Sequence, residues 1–217
     1  MIILRIDDVG RLSHDPPEKG SDPDLIYFEQ WRSEAGLVNL PVVYAATPLW
    51  IHERGLHLLS NLQGEELSAV HGYTHDRGVQ PTLTEMKRAG FLFRSLCYVP
   101  PFNDYTLETV NNWGLAGGKY FLGGWPGDHH DLGDKPVLTN GVIHLPACPL
   151  LYGTACDLLR SGRAVCQRTT GNQPLVLTLH LPWDQNPTPV KELVDAIKPL
   201  LVSPHYAARW LKENPSV

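Results

Sequence analysis

Seven short apolar or β-rich runs recur along this chain of 217 residues, and helical spacing separates them. Strands are expected at Ile2–Ile6, Pro41–Ala46, Leu67–Val70, Leu96–Val99, Lys119–Leu122, Val142–Leu145 and Leu175–Leu179. Helices are expected at Asp24–Glu34, Glu53–Leu62, Thr82–Ala89, Asp104–Trp113, Tyr152–Ser161, Val190–Val202 and Pro204–Lys212. Strands alternating with helices in this way argue for a parallel sheet, open or closed into a barrel, because parallel neighbours need a crossover and helices supply it. Seven strands are too few for a complete eight-fold barrel. The expected architecture is therefore α/β: a distorted, incomplete (β/α) barrel of about seven parallel strands, formed by residues 1–217 as one domain.

Local signals set some boundaries. Thr82 and Glu85 form a capping box, with Gly90 placed to end that helix, and Asp104 is positioned to cap the segment that follows it. The glycines 117, 118, 123, 124 and 127, with Asp128–Asp134, predict a long loop near the centre of the chain.

Charge and composition narrow the function. The formal charge of −5 and the absence of any Lys/Arg run argue against nucleic acid as a partner. The apolar opening run stops at Arg5, too short for a signal-peptide core, and no 18-residue apolar stretch exists for a membrane span. The expectation is a cytoplasmic protein acting away from membranes. Cys97, Cys148, Cys156 and Cys166 include no C-x-x-C pair, so isolated buried or half-buried thiols are expected rather than a thiolate zinc site.

Four segments carry chemistry. Asp7 and Asp8 follow the first strand, and adjacent carboxylates repel unless a cation or hydrogen bonds compensate. His71 and His75 follow the third strand; imidazoles four residues apart can converge on one metal, with Gly72 easing the loop between them. An Asp from another strand would complete a two-histidine, one-carboxylate triad with open positions for water and substrate. His180 ends a very apolar strand and, in this company, is a candidate general acid. Pro100 and Pro101 stiffen the fourth segment, which places Phe102 and Asn103 at the same rim.

Together these segments resemble the polysaccharide deacetylase (NodB-homology) family, as a divergent branch, over Ile2 to about His180. Asp7-Asp8 looks like the motif whose first Asp is the base and whose second binds metal. His71 and His75 match its histidine ligands, Val99-Pro100-Pro101-Phe102-Asn103 falls on its Arg-x-Pro-aromatic-Gly segment, and Leu177-x-x-His180 matches its Leu-x-x-His proton donor. The resemblance implies a distorted, incomplete barrel, one divalent ion of zinc type, and a hydrolase that removes an acyl group, N-acetyl above all, from a carbohydrate or related small molecule.

The departures are specific. Gly72 stands where Ser or Thr usually follows the first histidine, and Val99 and Asn103 replace Arg and Gly. The Asp-x-x-Asp-Trp segment has no clear equivalent, with Trp125–Asp131 as the nearest stretch. The missing arginine normally orients the base. Side chains two apart on a strand share a face, so Arg5 is a candidate replacement beside Asp7.

Tyr73, Phe102, Trp125 and Trp183 are candidate aromatic faces for substrate, alongside Pro101 and Asn103. Two other readings stay open: an amidase for a small non-sugar amide, and an inactive module that holds metal and binds sugar.

Overall fold

The computed structural model describes residues 1–10, 22–51, 53–123, 137–145, 147–160 and 173–214. Its strands are β1 (Ile2–Val9), β2 (Val42–Ala46), β3 (Leu67–His71), β4 (Cys97–Val99), β5 (Tyr120–Leu122), β6 (Val137–Thr139), β7 (Val142–Leu145), β8 (Ala147–Tyr152) and β9 (Leu175–His180). They form one sheet in the order β6-β7-β5-β4-β3-β2-β1-β9-β8. Every pairing is parallel except β6 with β7.

The sheet curls, and connectivity shows why it must. Leu145, at the end of β7, pairs with Leu122 near one edge, while Ala147, at the start of β8, pairs with Val176 near the other. Residue 146 alone separates them in sequence, and two peptide units span only about 7 Å. The two edges are therefore brought together by the chain itself. This is the expected incomplete barrel, with eight parallel strands and an added antiparallel one.

Alternation within the strands sorts side chains into two cores. Ile2, Leu4, Ile6, Val42, Tyr44, Val70, Tyr98, Phe121 and Leu177 point outward. They pack against α1 (Asp22–Glu34), α2 (Glu53–Ser60), α3 (Leu83–Phe93), α4 (Leu107–Leu115) and α6 (Pro187–Ile197), through residues such as Trp31, Leu59, Met86, Trp113 and Leu193. Ile3, Val43, Ala45, Ala69, Cys97, Val99, Leu122 and Val176 fill the interior. Several of these are small, which suits a narrow barrel.

Ala207 of α7 (Pro204–Glu213) joins the inner cluster, and His205 Nδ1 meets the hydroxyl of Tyr120, the first residue of β5, at 2.7 Å. The last helix thus covers the end where strands begin, leaving their C-terminal ends for the site. No helix among the described residues is long and apolar enough to cross a membrane.

Several boundaries differ from expectation. The Thr82 capping box is present, but α3 runs through Gly90 and ends at left-handed Arg94. Gly90 instead lies inside the helix against Trp113, whose ring is 3.4 Å from where a Cβ would stand. Thr106, not Asp104, caps α4, sharing reciprocal bonds with Thr109.

The fifth expected helix begins later, as α5 (Ala155–Arg160), and β8 takes up Tyr152. The sixth spans only Pro187–Ile197, because Pro199 breaks it into a separate 3-10 turn over Lys198–Leu200. Cys97 is buried, which pushes its thiol up to about 12, whereas Cys156 is exposed. Gly124, Trp125, Gly127 and Asp128–Asp134 lie outside the described residues, as does Cys166.

Candidate metal centre

Two neighbours on an ideal strand face opposite ways, so Asp7 and Asp8 need a break in regularity to share a site. The break is present. Asp8 has φ of 59°, and the pairing of β1 with β2 shifts register between Ile6 and Val9. Asp7 keeps the inward parity of Ile3 and Arg5, and the left-handed turn brings the Asp8 carboxylate to the histidines.

His71 is the last residue of β3 and is buried. Its Nδ1 lies 3.2 Å from the carbonyl oxygen of Val99. A carbonyl only accepts, so Nδ1 carries the proton and Nε2 presents its lone pair to the site. That Nε2 stands 3.5 Å from Asp8 Oδ1 and 3.2 Å from His75 Nε2, and His75 Nε2 lies 3.0 Å from the same Asp8 oxygen. One ligand atom from each of Asp8, His71 and His75 falls within 4.8 Å of the others.

Burial acts first to raise the Asp8 pKa, but hydrogen bonds and charge from His71 and His75 overcome it and hold the carboxyl well below its usual range. Burial likewise lowers His71, and Asp8 with Asp7 reverses that to a net rise. Two imidazole nitrogens facing each other beside a carboxylate fit a divalent ion: without a cation, one of the two Nε2 atoms must carry a hydrogen to avoid opposed lone pairs. One hard oxygen and two borderline nitrogens suit a first-row divalent ion, and three ligands leave positions open.

The loop after β3 depends on Gly72. Its φ is +66°, and a Cβ there would sit 2.4 Å from Pro101 Cγ. A serine or threonine would collide with the proline of the next loop, which accounts for this departure from the resembled motif. His75, three residues on, is itself left-handed at φ 59°.

Asp7 is held differently. Arg5 Nη2 donates to Asp7 Oδ2 at 2.7 Å, and Arg5 Nη1 donates to the Leu122 carbonyl at the same distance. Both side chains are buried. Val99, where the resembled motif has arginine, instead fills the inner core. His180 pairs in register with Asp7 across β1 and β9, its Nε2 3.7 Å from Asp7 Oδ2. The other carboxylate oxygen, Oδ1, is buried with no hydrogen-bond partner among the described residues. Burial lowers the His180 pKa, with Asp7 and Asp8 opposing.

The rim is aromatic on two sides. Trp183 is 42% exposed and lies against His180, ring centroids 4.4 Å apart at 30°. Phe102 is 52% exposed and sits 4.8 Å from the His75 ring, and Trp50 approaches the same imidazole at 4.6 Å. Phe102 and Asn103 are both left-handed, at φ 56° and 53°. Asn103 is buried, with Oδ1 lacking a partner among the described residues.

Pro101 is buried against Gly72, whereas Tyr73 is half-buried and packs on the outer core. Sequence reasoning missed Trp50. Its signal was position, since Thr47-Pro48-Leu49-Trp50 directly follows β2 at the strand end where sites gather.

The molecule is thus an open parallel β/α barrel with a two-histidine, one-carboxylate cluster at its strand ends. No protein-family model matches the sequence, and no curated protein matches it. Solved structures do match in fold. A Mycobacterium smegmatis protein assigned as a polysaccharide deacetylase superposes with TM-score 0.70 at 14% identity, covering 100% of this chain and 91% of that one.

The 4-alpha-glucanotransferase of Thermococcus litoralis gives TM-score 0.62 at 14% identity, over 96% of this chain and 38% of its own. A family 4 carbohydrate esterase from Streptomyces lividans, in complex with acetate, gives 0.53 at 11% identity, covering 93% and 90%. At such identities the likeness is one of fold, and three proteins that include a glucanotransferase do not share one reaction.

Proposed function

We propose that this protein is a metal-dependent hydrolase that removes an acyl group, N-acetyl first, from a carbohydrate or related small molecule. The observation that carries the reading is the convergence of Asp8, His71 and His75 beside an arginine-held Asp7, with His180 on the neighbouring strand. The deacetylase and carbohydrate esterase with the same fold supply the reaction class.

Asp8, His71 and His75 would hold one divalent ion of zinc type. Such an ion polarises an acyl carbonyl and acidifies water. Asp7 is the base. Arg5 occupies its Oδ2, leaving Oδ1 to take the proton of the attacking water. Arg5 thereby fills the orienting role that Val99 cannot.

His180 gives its proton to the departing amine. Its lowered pKa makes the imidazolium a stronger acid but a scarcer one at neutral pH, so the rate should fall as pH rises past that lowered value. Phe102, Asn103, Pro101 and Trp183 line the approach, with Trp50 added and Tyr73 at the margin. A ring lying on Trp183 would rest beside the proton donor.

The test is metal analysis of the purified protein beside His71→Ala, with turnover of N-acetylated sugars and small amides measured with and without chelator. One equivalent of metal in the wild type, none in the variant and chelator-sensitive deacetylation are expected. Turnover on small amides alone would give the amidase. Metal bound without turnover on any acyl substrate would leave an inactive metal-holding module.

A further inference from the structure

His75 sits in a loop that has no strand to hold it. Residues 72–82 join β3 to α3, and left-handed backbone recurs at Gly72, His75 and Gly78. At a residue with a Cβ, that conformation costs about 1–2 kcal/mol. A ligand held this way would drift from its partners unless other contacts fixed the loop.

Gly72 is hydrogen-bonded to the Val99 carbonyl and packed on Pro101, and His75 lies against Trp50 and Phe102; beyond these, hydrogen bonds tie the loop to the segment that leads into α4. The carboxylate of Asp104 accepts from Gly78 N at 2.9 Å. The Gln80 side chain donates from Nε2 to the Asp104 carbonyl at 3.2 Å and accepts at Oε1 from the Thr109 hydroxyl at 2.6 Å. The same Thr109 oxygen accepts from Thr106 N at 3.0 Å, which ties the chain of bonds into the start of α4.

Donors and acceptors are consistently matched: the Gln80 amide faces a carbonyl with its nitrogen and a hydroxyl with its oxygen. A Cβ at Gly78 would meet nothing within 4 Å, so room is not what glycine supplies there. It supplies the φ of +75° that turns the amide toward Asp104.

We infer that Asp104, Gln80 and Thr109 form a clamp that positions His75 for the metal, with Asp104 the principal positioning residue. None of the three reaches the ligand cluster; they act through the loop. This deepens the metal-site reading and rests on it. The loop bearing Phe102 and the loop bearing His75 then move as one unit, because Asp104 lies two residues after Phe102.

The experiment measures zinc affinity by competition with a chromophoric chelator, together with the thermal midpoint of the metal-free protein. Asp104→Ala should bind zinc about 10- to 100-fold more weakly, as other supporting groups around metal ligands do. Its metal-free midpoint should stay within about 4 °C of wild type. Asp104→Asn keeps an oxygen acceptor and should stay within about threefold of wild-type affinity. Gln80→Ala should weaken zinc several-fold and decides the matter if Asp104→Ala does not fold.

Wild-type zinc affinity in both Ala variants would overturn the clamp. So would loss of affinity only in step with loss of metal-free stability. A wild-type protein that fails to bind zinc at all would overturn the metal site itself, and the clamp with it.

Discussion

The two halves of the candidate site are built by different means. Asp7, Arg5 and His180 lie on adjacent parallel strands, with side-chain direction set by strand alternation and register. His75 and Phe102 stand in left-handed backbone on loops that touch through Gly72 and Pro101, and Asp8 is left-handed where β1 shifts register against β2. The first half is fixed by the sheet and changes only if the sheet does. The second is fixed by neighbours, so single substitutions in those neighbours should alter it. Proton transfer is proposed for the sheet-held half, whereas the proposed metal ligands draw on both: His71 ends β3, Asp8 sits at the break in β1, and His75 lies on the loop.

Breaking the chemistry of the strand-held half should produce the largest effect. Asp7→Asn and His180→Ala should each lower kcat by about 10²–10⁴ while metal content stays at one equivalent. Loss of metal in His180→Ala would mean that the two halves are not separable.

Arg5→Met tests the same half through stability. It leaves the buried Asp7 carboxylate without its ion pair, at a cost of about 3–5 kcal/mol. Urea unfolding reads this directly, and an unchanged midpoint with unchanged turnover would remove Arg5 from its role.

Gly72→Ser probes the loop-built half. The collision with Pro101 and the positive φ should cost about 2–4 kcal/mol and loosen metal binding, measured by urea midpoint and zinc titration. A serine tolerated without loss would mean that the two loops give way easily.

The smallest effect lies behind Trp183. Asp184 Oδ1 accepts from Ala155 N at 2.7 Å, and burial raises its carboxyl to about 6 although the Ala155 and His180 backbones oppose the rise. A carboxyl raised on folding favours the folded state when protonated. Stability at this site is therefore greatest below its unfolded value of 3.8 and falls as pH rises through about 6. Asp184→Asn should stabilise at pH 7 by on the order of 1–2 kcal/mol and flatten the urea midpoint between pH 4 and 7. An unchanged slope would show that Asp184 does not titrate in this range.

The same division explains what could be read from residues alone. Alternation predicts that Arg5 and Asp7 share a face, and the seven expected strands recur within a few residues of their observed limits. Arg5 as a neighbour of Asp7 was legible because no other element had to be known.

The left-handed turns at Asp8, His75 and Phe102 were not, since glycines such as Gly10, Gly72 and Gly78 advertise such backbone in sequence and these three residues are not glycine. Asp104 looked like a helix cap because Asp commonly is one; its real partner, Gly78, lies 26 residues away in sequence. Strands β6 and β8 escaped for other reasons. β6 has three residues and an exposed centre, and β8 carries a proline, which argues against a central strand but is tolerated at an edge.

The order of strands has a consequence for synthesis. β1 lies between β2 and β9, and Asp7 pairs in register with His180, which the ribosome adds 173 residues later. A nascent chain can form β1 to β5 while β1 still lacks a neighbour on one side. Until β9 arrives, Arg5 and Asp7 line an open edge, and slow closure of such long-range pairings leaves edges exposed to other chains. The proposed metal ligands, all within the first 75 residues, are synthesised well before His180, the proposed proton donor.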